Sequence, residues 1–428
     1  MNIVMFPPRQ AWAGILARPS ANGEELEKVC EAIFEEVRRD GDAAVRRYTR
    51  HFDRVELERF EVSSGEFEEA EGLVDPPLKE AIGLALKNIE AFHRLQLPER
   101  RELADDRGFR CWQEARAIDR VGLYVPGGSA PLFSTVLMLA APARLAGCRD
   151  VALCTPPGRD GKVHPAILWS ARLCGVTSVF KVGGVQAIAA LTFGTESVRR
   201  VDKIFGPGNG FVTAAKQRAS TRGVAIDMPA GPSELMVVAD ETASPAFVAA
   251  DLLSQAEHGA DSQVLLLTCR EELPALVAAE VERQLADLPR REVAERALAG
   301  STCVVLRDRE ECLEMINDYA PEHLMLSVKD AGEWARRVRN AGSVFLGNYS
   351  PESAGDYVSG TNHTLPTGGH ARAYGGVGVE SFMKMISFQE ISPRGLSALA
   401  PAIEVMAERE GLMAHRNAVR VREKGGAA

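Results

Sequence analysis

Apolar positions in the first hundred residues recur at three- and four-residue spacing. Leu26, Val29, Ile33 and Val37 hold one face, and Leu78, Ile82, Leu86, Ile89 and Phe92 another, which predicts a helical region from Glu24 to about Gln96. Two start signals lie inside it. Ser63 and Glu66 have the spacing of a capping box, in which each side chain satisfies an amide of the other residue, and Pro76-Pro77 suits a first helical turn. After Arg120 the pattern changes to short continuous apolar runs, VGLYV (121–125), DVALC (150–154) and SVFKV (178–182), each before a turn and a helix-compatible stretch. The rhythm returns after Glu234 with LMVVA (235–239), QVLLL (263–267), CVVL (303–306), HLMLSV (323–328) and SVFLG (343–347), separated by helical patterns such as 271–285 and 330–339. Alternation of this kind predicts βαβ units, and two doubly wound units are the simplest arrangement. The Gly- and Pro-rich stretch 201–240 joins the two rhythms and predicts a domain boundary, where clefts favour ligands. From about Glu380 the chain reads as helical, most clearly over Leu396 to Glu410, before a basic stretch and a Gly-Gly-Ala-Ala tail.

At 428 residues the chain exceeds what one hydrophobic core usually supports, so about two to four domains are expected. Apolar residues at 46% and charged residues at 25% describe an ordinary globular protein. A net charge of -9, with no Lys/Arg block longer than a pair, argues against nucleic acid as a partner. Pro7, Pro8 and Arg9 break any apolar signal segment, and no apolar run approaches the length of a membrane span, so no membrane partner and a cytoplasmic location are expected. The eight cysteines lie far apart without a CxxC pair. Cys154, Cys269 and Cys303 sit in apolar runs and read as small packing residues.

The stretch Asp202-Lys-Ile-Phe-Gly-Pro-Gly-Asn209-Gly210 looks like a strand entering a glycine loop before a helix, where bare amides can approach a phosphate. It is not the GxGxxG fingerprint, and neither are the turns at Gly127-Gly128 and Gly183-Gly184, so a plain tight turn stands beside the cofactor reading. A stronger group begins at Ser254-Gln255-Ala256-Glu257-His258-Gly259, where Gln255 and His258 share a helix face near its end. A lone histidine of this kind is more often structural. Company changes the balance: Glu322-His323 follows Pro321, Asp356 and His363 flank SAGDYVSGTNH, and Glu410 and His415 come late in the chain. Imidazole, carboxylate and amide oxygen together suit a borderline cation such as zinc, and the absence of HExxH removes support for a zincin-type protease. His51, His93 and His164 lack such neighbours and read as surface or packing residues. Glu322-His323 can supply two bases of different strength from one turn, although an ordinary junction explains the same dipeptide.

These residues, with VGLYVPGGSAPLFSTVLMLA, VDKIFGPGNGFVTAAK, AGPSELMVVAD, DLLSQAEHGADSQV, APEHL, AGSVFLGNYSPESAGDYVSGTNHTLPTGG and GLMAHRNAV, resemble the histidinol dehydrogenase family from about Gly122 to Arg422. The resemblance implies an α/β fold of two incomplete Rossmann-like doubly wound units, with an N-terminal helical region and a C-terminal helical segment exchanged in a homodimer with shared active sites. The expected division is an arm over 1–22, a first Rossmann-like domain over 23–123 plus 234–378, a second over 124–233, and the exchanged segment over 379–428.

One zinc ion per subunit is implied, held by Gln255, His258, Asp356 and His415, with His323 as base and Glu322 activating water. Contacts to L-histidinol are implied for Ser233, Gln255, His258, His323, Asp356, His363, Glu410 and His415, and contacts to NAD for Tyr124, Gln186 and Asn209. The implied reaction is the oxidation of L-histidinol to L-histidine through L-histidinal with two NAD, ending histidine biosynthesis. Two alternatives remain open at this point: a related zinc- and NAD-dependent dehydrogenase acting on another small alcohol, and a non-catalytic zinc-binding protein.

Overall fold

The structure, a computed structural model, describes residues 1–18, 23–127 and 130–425. Residues 19–22 of the expected arm, Gly128 of the first Gly-Gly turn and the last three residues of the tail lie outside that range. Continuous apolar runs become the inner strands of two parallel sheets. The first contains β1 (Asn2–Met5), β9 (Glu234–Ala239), β10 (Gln263–Thr268), β11 (Thr302–Val305), β12 (His323–Ser327) and β13 (Ser343–Leu346), in the order β1-β11-β10-β9-β12-β13. Every residue of β9 to β12 is buried, as strands covered on both faces require. Successive side chains serve opposite cores: Leu235 and Val237 join Val248 and Leu252, while Met236 and Val238 join Met315 and Ile316.

The second sheet contains β4 (Arg120–Tyr124), β5 (Asp150–Thr155), β6 (Ser178–Lys181), β7 (Lys203–Phe205) and β8 (Ala225–Ile226), in the order β6-β5-β4-β7-β8. Numbered within each sheet, and leaving β1 aside, both follow the order 3-2-1-4-5 of a Rossmann-type unit that lacks its last strand. The α/β reading with two incomplete doubly wound units therefore describes the observed fold. Strand β1 is an addition that the sequence pattern did not disclose, because a four-residue edge is too short to show a period. It gains its ladder from β11.

The N-terminal region is helical over Gly23–Asp40, Asp42–Tyr48, Ser64–Leu73 and Pro76–Arg94. The capping box is present, with the Glu66 amide donating to Ser63 Oγ at 3.3 Å and the Ser63 amide donating to Glu66 Oε2 at 2.9 Å. Both parallel sheets and these helices fall in one compact unit, residues 1–95 and 118–382.

A second unit comprises residues 96–117 and 383–428. It holds an antiparallel sheet of β2 (Arg101–Asp105), β3 (Phe109–Ala117) and β14 (Met383–Ile391), followed by helices Pro393–Arg409 and Met413–Gly425. The stretch after Glu380 thus leaves a short 3-10 turn, Val379–Phe382, runs as a nine-residue strand and forms an α-helix only at Pro393. The sequence MKMISFQEI alternates weakly and is mostly exposed in the isolated chain, so burial gave no period to read.

Cys154 and Cys303 are buried as expected, but Cys269 is exposed, one residue beyond the end of β10. No helix among the described residues is long and apolar enough to cross a membrane.

Candidate active site

The amino ends of β9 and β12 gather the charged groups. Glu322 immediately precedes β12 and His323 opens it, while β9 opens at Glu234. Parallel register places His323 beside Leu235. The backbone of Glu234 serves both members of the pair: its N–H donates to Glu322 Oε2 at 2.8 Å, and its carbonyl accepts from His323 Nδ1 at 3.3 Å. A carbonyl oxygen can only accept, so Nδ1 of His323 carries a proton and donates there, which leaves Nε2 for other partners. Nε2 faces Asp356 Oδ1 at 3.7 Å.

The same logic fixes two more imidazoles. His258 Nδ1 meets the Ser254 carbonyl at 3.0 Å and His363 Nδ1 meets the Asp356 carbonyl at 2.9 Å, so both also present Nε2. Thr135 Oγ1 lies 3.2 Å from His363 Nε2, so its hydroxyl donates there.

Helix Pro245–Ala256 carries Gln255 in its last turn, fully buried, and helix Glu352–Tyr357 carries Glu352 and Asp356 four residues apart on one face. The Gln255 amide nitrogen donates to the Glu352 carboxylate and its oxygen accepts from the Glu234 amide at 3.3 Å. Ser254 Oγ donates to Glu352 Oε2 at 3.2 Å. Glu352 Oε1 also lies 3.6 Å from His323 Nδ1.

Burial opposes charge throughout this cluster, and the neighbours decide each outcome. Burial alone would lower His323, but Glu322, Glu352 and Asp356 around it hold the imidazole well above its usual range. Burial would raise Asp356, yet its hydrogen bond to His323 and the positive charge of that imidazole keep it below. Burial pushes Glu352 up to about 8 despite the pull of His323.

His323, Glu352 and Asp356 form a group whose ligand atoms lie within 4.8 Å of one another. Of the metal ligands expected from the sequence, Gln255, His258 and Asp356 are in the first unit, and Asp356 belongs to that group. The donors are nitrogen and oxygen without thiolate, which fits a catalytic zinc better than a closed structural one. Ser233 is half-buried beside Glu234, and His363 follows the Asp356 helix. Glu410 and His415 fall in the second unit, Glu410 on an exposed turn and His415 exposed in the first turn of its last helix.

Glu352 was not singled out in the sequence. Its four-residue spacing from Asp356 was the available signal. Arg18 was also missed: its guanidinium grips the buried Glu234 carboxylate through Nε–Oε1 at 2.5 Å and Nη2–Oε2 at 2.9 Å. No local pattern links residues 216 positions apart.

A second site lies at the carboxyl ends of the other sheet. A cavity of about 870 Å3 is lined by Asp53, Tyr124, Gly127, Thr155, Gly184 and Asn209 among others. Tyr124 ends β4, is buried, and its hydroxyl accepts from the Gly184 amide at 3.0 Å. Asn209 caps helix Gly210–Thr221 by accepting from the Val212 amide at 3.1 Å. The loop before it is pinned by a buried pair: Lys216 Nζ contacts Asp227 Oδ1 at 2.5 Å and donates to the Gly206 carbonyl at 2.7 Å, while the Gly206 amide donates to Asp227 Oδ2 at 2.8 Å. Only glycine fits at 206, with φ at +120° and the Tyr124 carbonyl where a Cβ would stand. Three buried oxygens in this neighbourhood lack partners: Asp53 Oδ2, Thr155 Oγ1 and Gln186 Oε1. Orphaned acceptors beside two helix N-termini suit the hydroxyls, amide and phosphates of a nicotinamide dinucleotide.

The family model for histidinol dehydrogenase matches residues 16–423. A histidinol dehydrogenase of Bacteroides fragilis is 58% identical over 422 residues, covering 99% of each chain. That of Escherichia coli K12 is 51% identical over 411 residues, covering 95% of this chain and 94% of its own. The crystal structure of histidinol dehydrogenase from Elizabethkingia anophelis matches with a TM-score of 0.97 and 51% identity, over 100% of this chain and 99% of that one. An acetylating aldehyde dehydrogenase from Geobacillus thermoglucosidasius, 15% identical with a TM-score of 0.51 over 90% of this chain and 94% of its own, shares the fold alone.

Proposed function

The chain belongs to the histidinol dehydrogenase family and is an oxidoreductase of histidine biosynthesis acting on histidinol, and from that premise we propose how its residues divide the work. Gln255, His258 and Asp356 hold one zinc ion together with His415 from a partner subunit, in a cytoplasmic homodimer whose C-terminal segments are exchanged. Tyr124, Gln186 and Asn209 hold NAD, and the stretch 124–233 is the cofactor domain. When bound, zinc supplies a redox-inert Lewis acid that anchors the substrate, and NAD supplies the hydride acceptor.

Everything else falls to side chains of this protein. His323 Nε2 takes the hydroxyl proton of L-histidinol as a hydride leaves its carbon, which yields L-histidinal. Glu322 draws a proton from the water that adds to the aldehyde, and His323 takes a proton from the resulting diol as a second hydride departs, giving L-histidine. Ser233, His363 and Glu410 fix the substrate. Holding the aldehyde between steps keeps it from side reactions. Positioning of this kind can lower a barrier by several kcal/mol, of order 7–11 at the upper limit.

The observation that carries this reading is the orientation of His323, whose Nδ1 is taken by the Glu234 carbonyl and whose Nε2 is set 3.7 Å from Asp356. With zinc, NAD and L-histidinol, the purified protein should form two NADH per substrate consumed. His323→Gln should keep its zinc and lose turnover. Absence of NADH, or loss of zinc and turnover together in that variant, would refute the assignment.

A further inference from the structure

Cys269 follows β10 directly, and Cys312 lies in the first turns of helix Arg309–Tyr319. Their sulfurs are 3.7 Å apart. Cys269 is exposed, whereas Cys312 is fully buried in the core that also holds Leu265, Val304 and Leu306. Neither takes part in the metal, base or cofactor sites described above. We infer that the two form a peroxide-reactive thiol pair, with Cys269 as the attacking sulfur and Cys312 as the resolving one.

Attack requires access and thiolate character, and a disulfide requires a second sulfur within reach. Cys269 meets the first need by its position beyond the strand. Either sulfur can donate across the contact; with Cys312 as donor, the hydrogen bond lowers the Cys269 pKa, against burial and the carboxylates Asp308, Glu311 and Asp240, which push it up. Cys312 moves the other way, held as a thiol by that same hydrogen bond and by burial. The remaining buried thiols are poor competitors: burial pushes Cys30 up to about 11, and Cys154, Cys174 and Cys303 up to about 12. A disulfide would bring the two sulfurs from 3.7 Å to roughly 2 Å.

The chemistry balances with hydrogen peroxide as oxidant. The Cys269 thiolate attacks one peroxide oxygen, an S–O bond forms as the O–O bond breaks, and the departing hydroxide takes a proton as water. The sulfur is now a sulfenic acid, oxidised by two electrons. The Cys312 sulfur attacks it, an S–S bond replaces the S–O bond, and the second hydroxide leaves as water with the Cys312 proton. Two thiols and one peroxide become one disulfide and two waters.

The test treats the full-length zinc-loaded protein with hydrogen peroxide, then denatures and alkylates it. Six thiols should label in place of the eight present before oxidation, and dithiothreitol should restore eight. Proteolysis should release one linked pair of peptides, carrying Cys269 and Cys312. Cys312→Ser removes the resolving sulfur, so the same treatment should leave a sulfenic acid on Cys269 that dimedone captures. Eight labelled thiols after peroxide, a linked pair lacking either residue, or a Cys312→Ser protein without a dimedone adduct at Cys269 would overturn the inference.

Discussion

Replacing Arg18 by Gln should slow the reaction from outside the reacting groups. Arg18 closes a bidentate pair on Glu234, donates to the Tyr319 carbonyl at 2.7 Å and stacks 3.9 Å over the Tyr319 ring. The other tie on the Glu234 carboxylate is the Gly368 amide at 2.7 Å. Breaking a buried pair typically costs about 3–5 kcal/mol because one charge is left uncompensated. The Arg18 side chain is 23% exposed against 4% for Glu234, so water screens part of the pair and about 2–3 kcal/mol is the expected loss of stability. The catalytic consequence comes through the main chain, since Glu234 donates to Glu322 and accepts from His323 with its own backbone. A shift of that segment by a fraction of an ångström moves both bases, and misplacement near 1 Å costs on the order of 100-fold. A kcat reduced roughly 10- to 100-fold, with KM for histidinol and zinc content little changed, is the expected pattern. Steady-state kinetics, zinc analysis and thermal unfolding on one preparation separate the two effects. Added guanidinium ion should restore part of kcat. A variant within twofold of the parent in kcat, or one that loses zinc in step with activity, would refute the positioning argument.

Glu352→Gln keeps the shape but loses the carboxylate that receives both Gln255 and Ser254. Zinc affinity, read by competition with a chelator, should fall by about 10- to 100-fold, and unchanged affinity would count against the proposed Gln255 ligand. Burial pushes Asp251 up to about 7, so its charged form is penalised in the fold. Because the folded pKa lies above the unfolded one, stability is lost as pH rises from the ordinary carboxylate range through about 7. Asp251→Asn should therefore unfold at a higher temperature than the parent at pH 8, with the gap narrowing toward pH 5 and closing below about pH 4; a pH-independent gap contradicts this. Mixing inactive His323→Gln and His415→Ala proteins under conditions that exchange subunits should recover activity if His415 reaches a partner's site, and no recovery despite proven exchange would refute sharing.

Much of the α/β frame was legible because buried parallel strands are continuous apolar runs, as in LMVVA and QVLLL, and because Ser63-x-x-Glu66 and Pro76 mark helix starts by local chemistry alone. Strands that stay half exposed wrote no such record. FRCWQEARA and MKMISFQEI pair over nine positions, yet neither shows a buried face in the single chain. Glu322 and His323 stood out as a polar pair against an apolar strand. Their orientation did not, since it depends on a backbone group of residue 234, far away in sequence. Cys269 misled for a related reason: LLLTC reads as strand to its last residue, while the ladder ends at Thr268.

The two sheets share one strand order and are used at opposite ends. On the second, Tyr124 ends β4, and Gly184 and Asn209 stand where helices begin, so the carboxyl ends present helix N-termini with spare amides. That supply suits an anionic dinucleotide and follows the general placement of ligands in open α/β sheets. On the first, the amino ends of β9 and β12 present something different: a strand's opening N–H and carbonyl, one aimed at Glu322 and the other at His323. An edge of that kind offers a dry, rigid frame that can fix which nitrogen of an imidazole carries the proton. The two sites of the proposed reaction, anion binding in one and proton transfer in the other, would thus be met by the two unlike ends of a repeated architecture. The consequence is specific: lengthening the 206–209 loop should weaken NAD binding while leaving unchanged the zinc content of the site proposed at Gln255, His258 and Asp356.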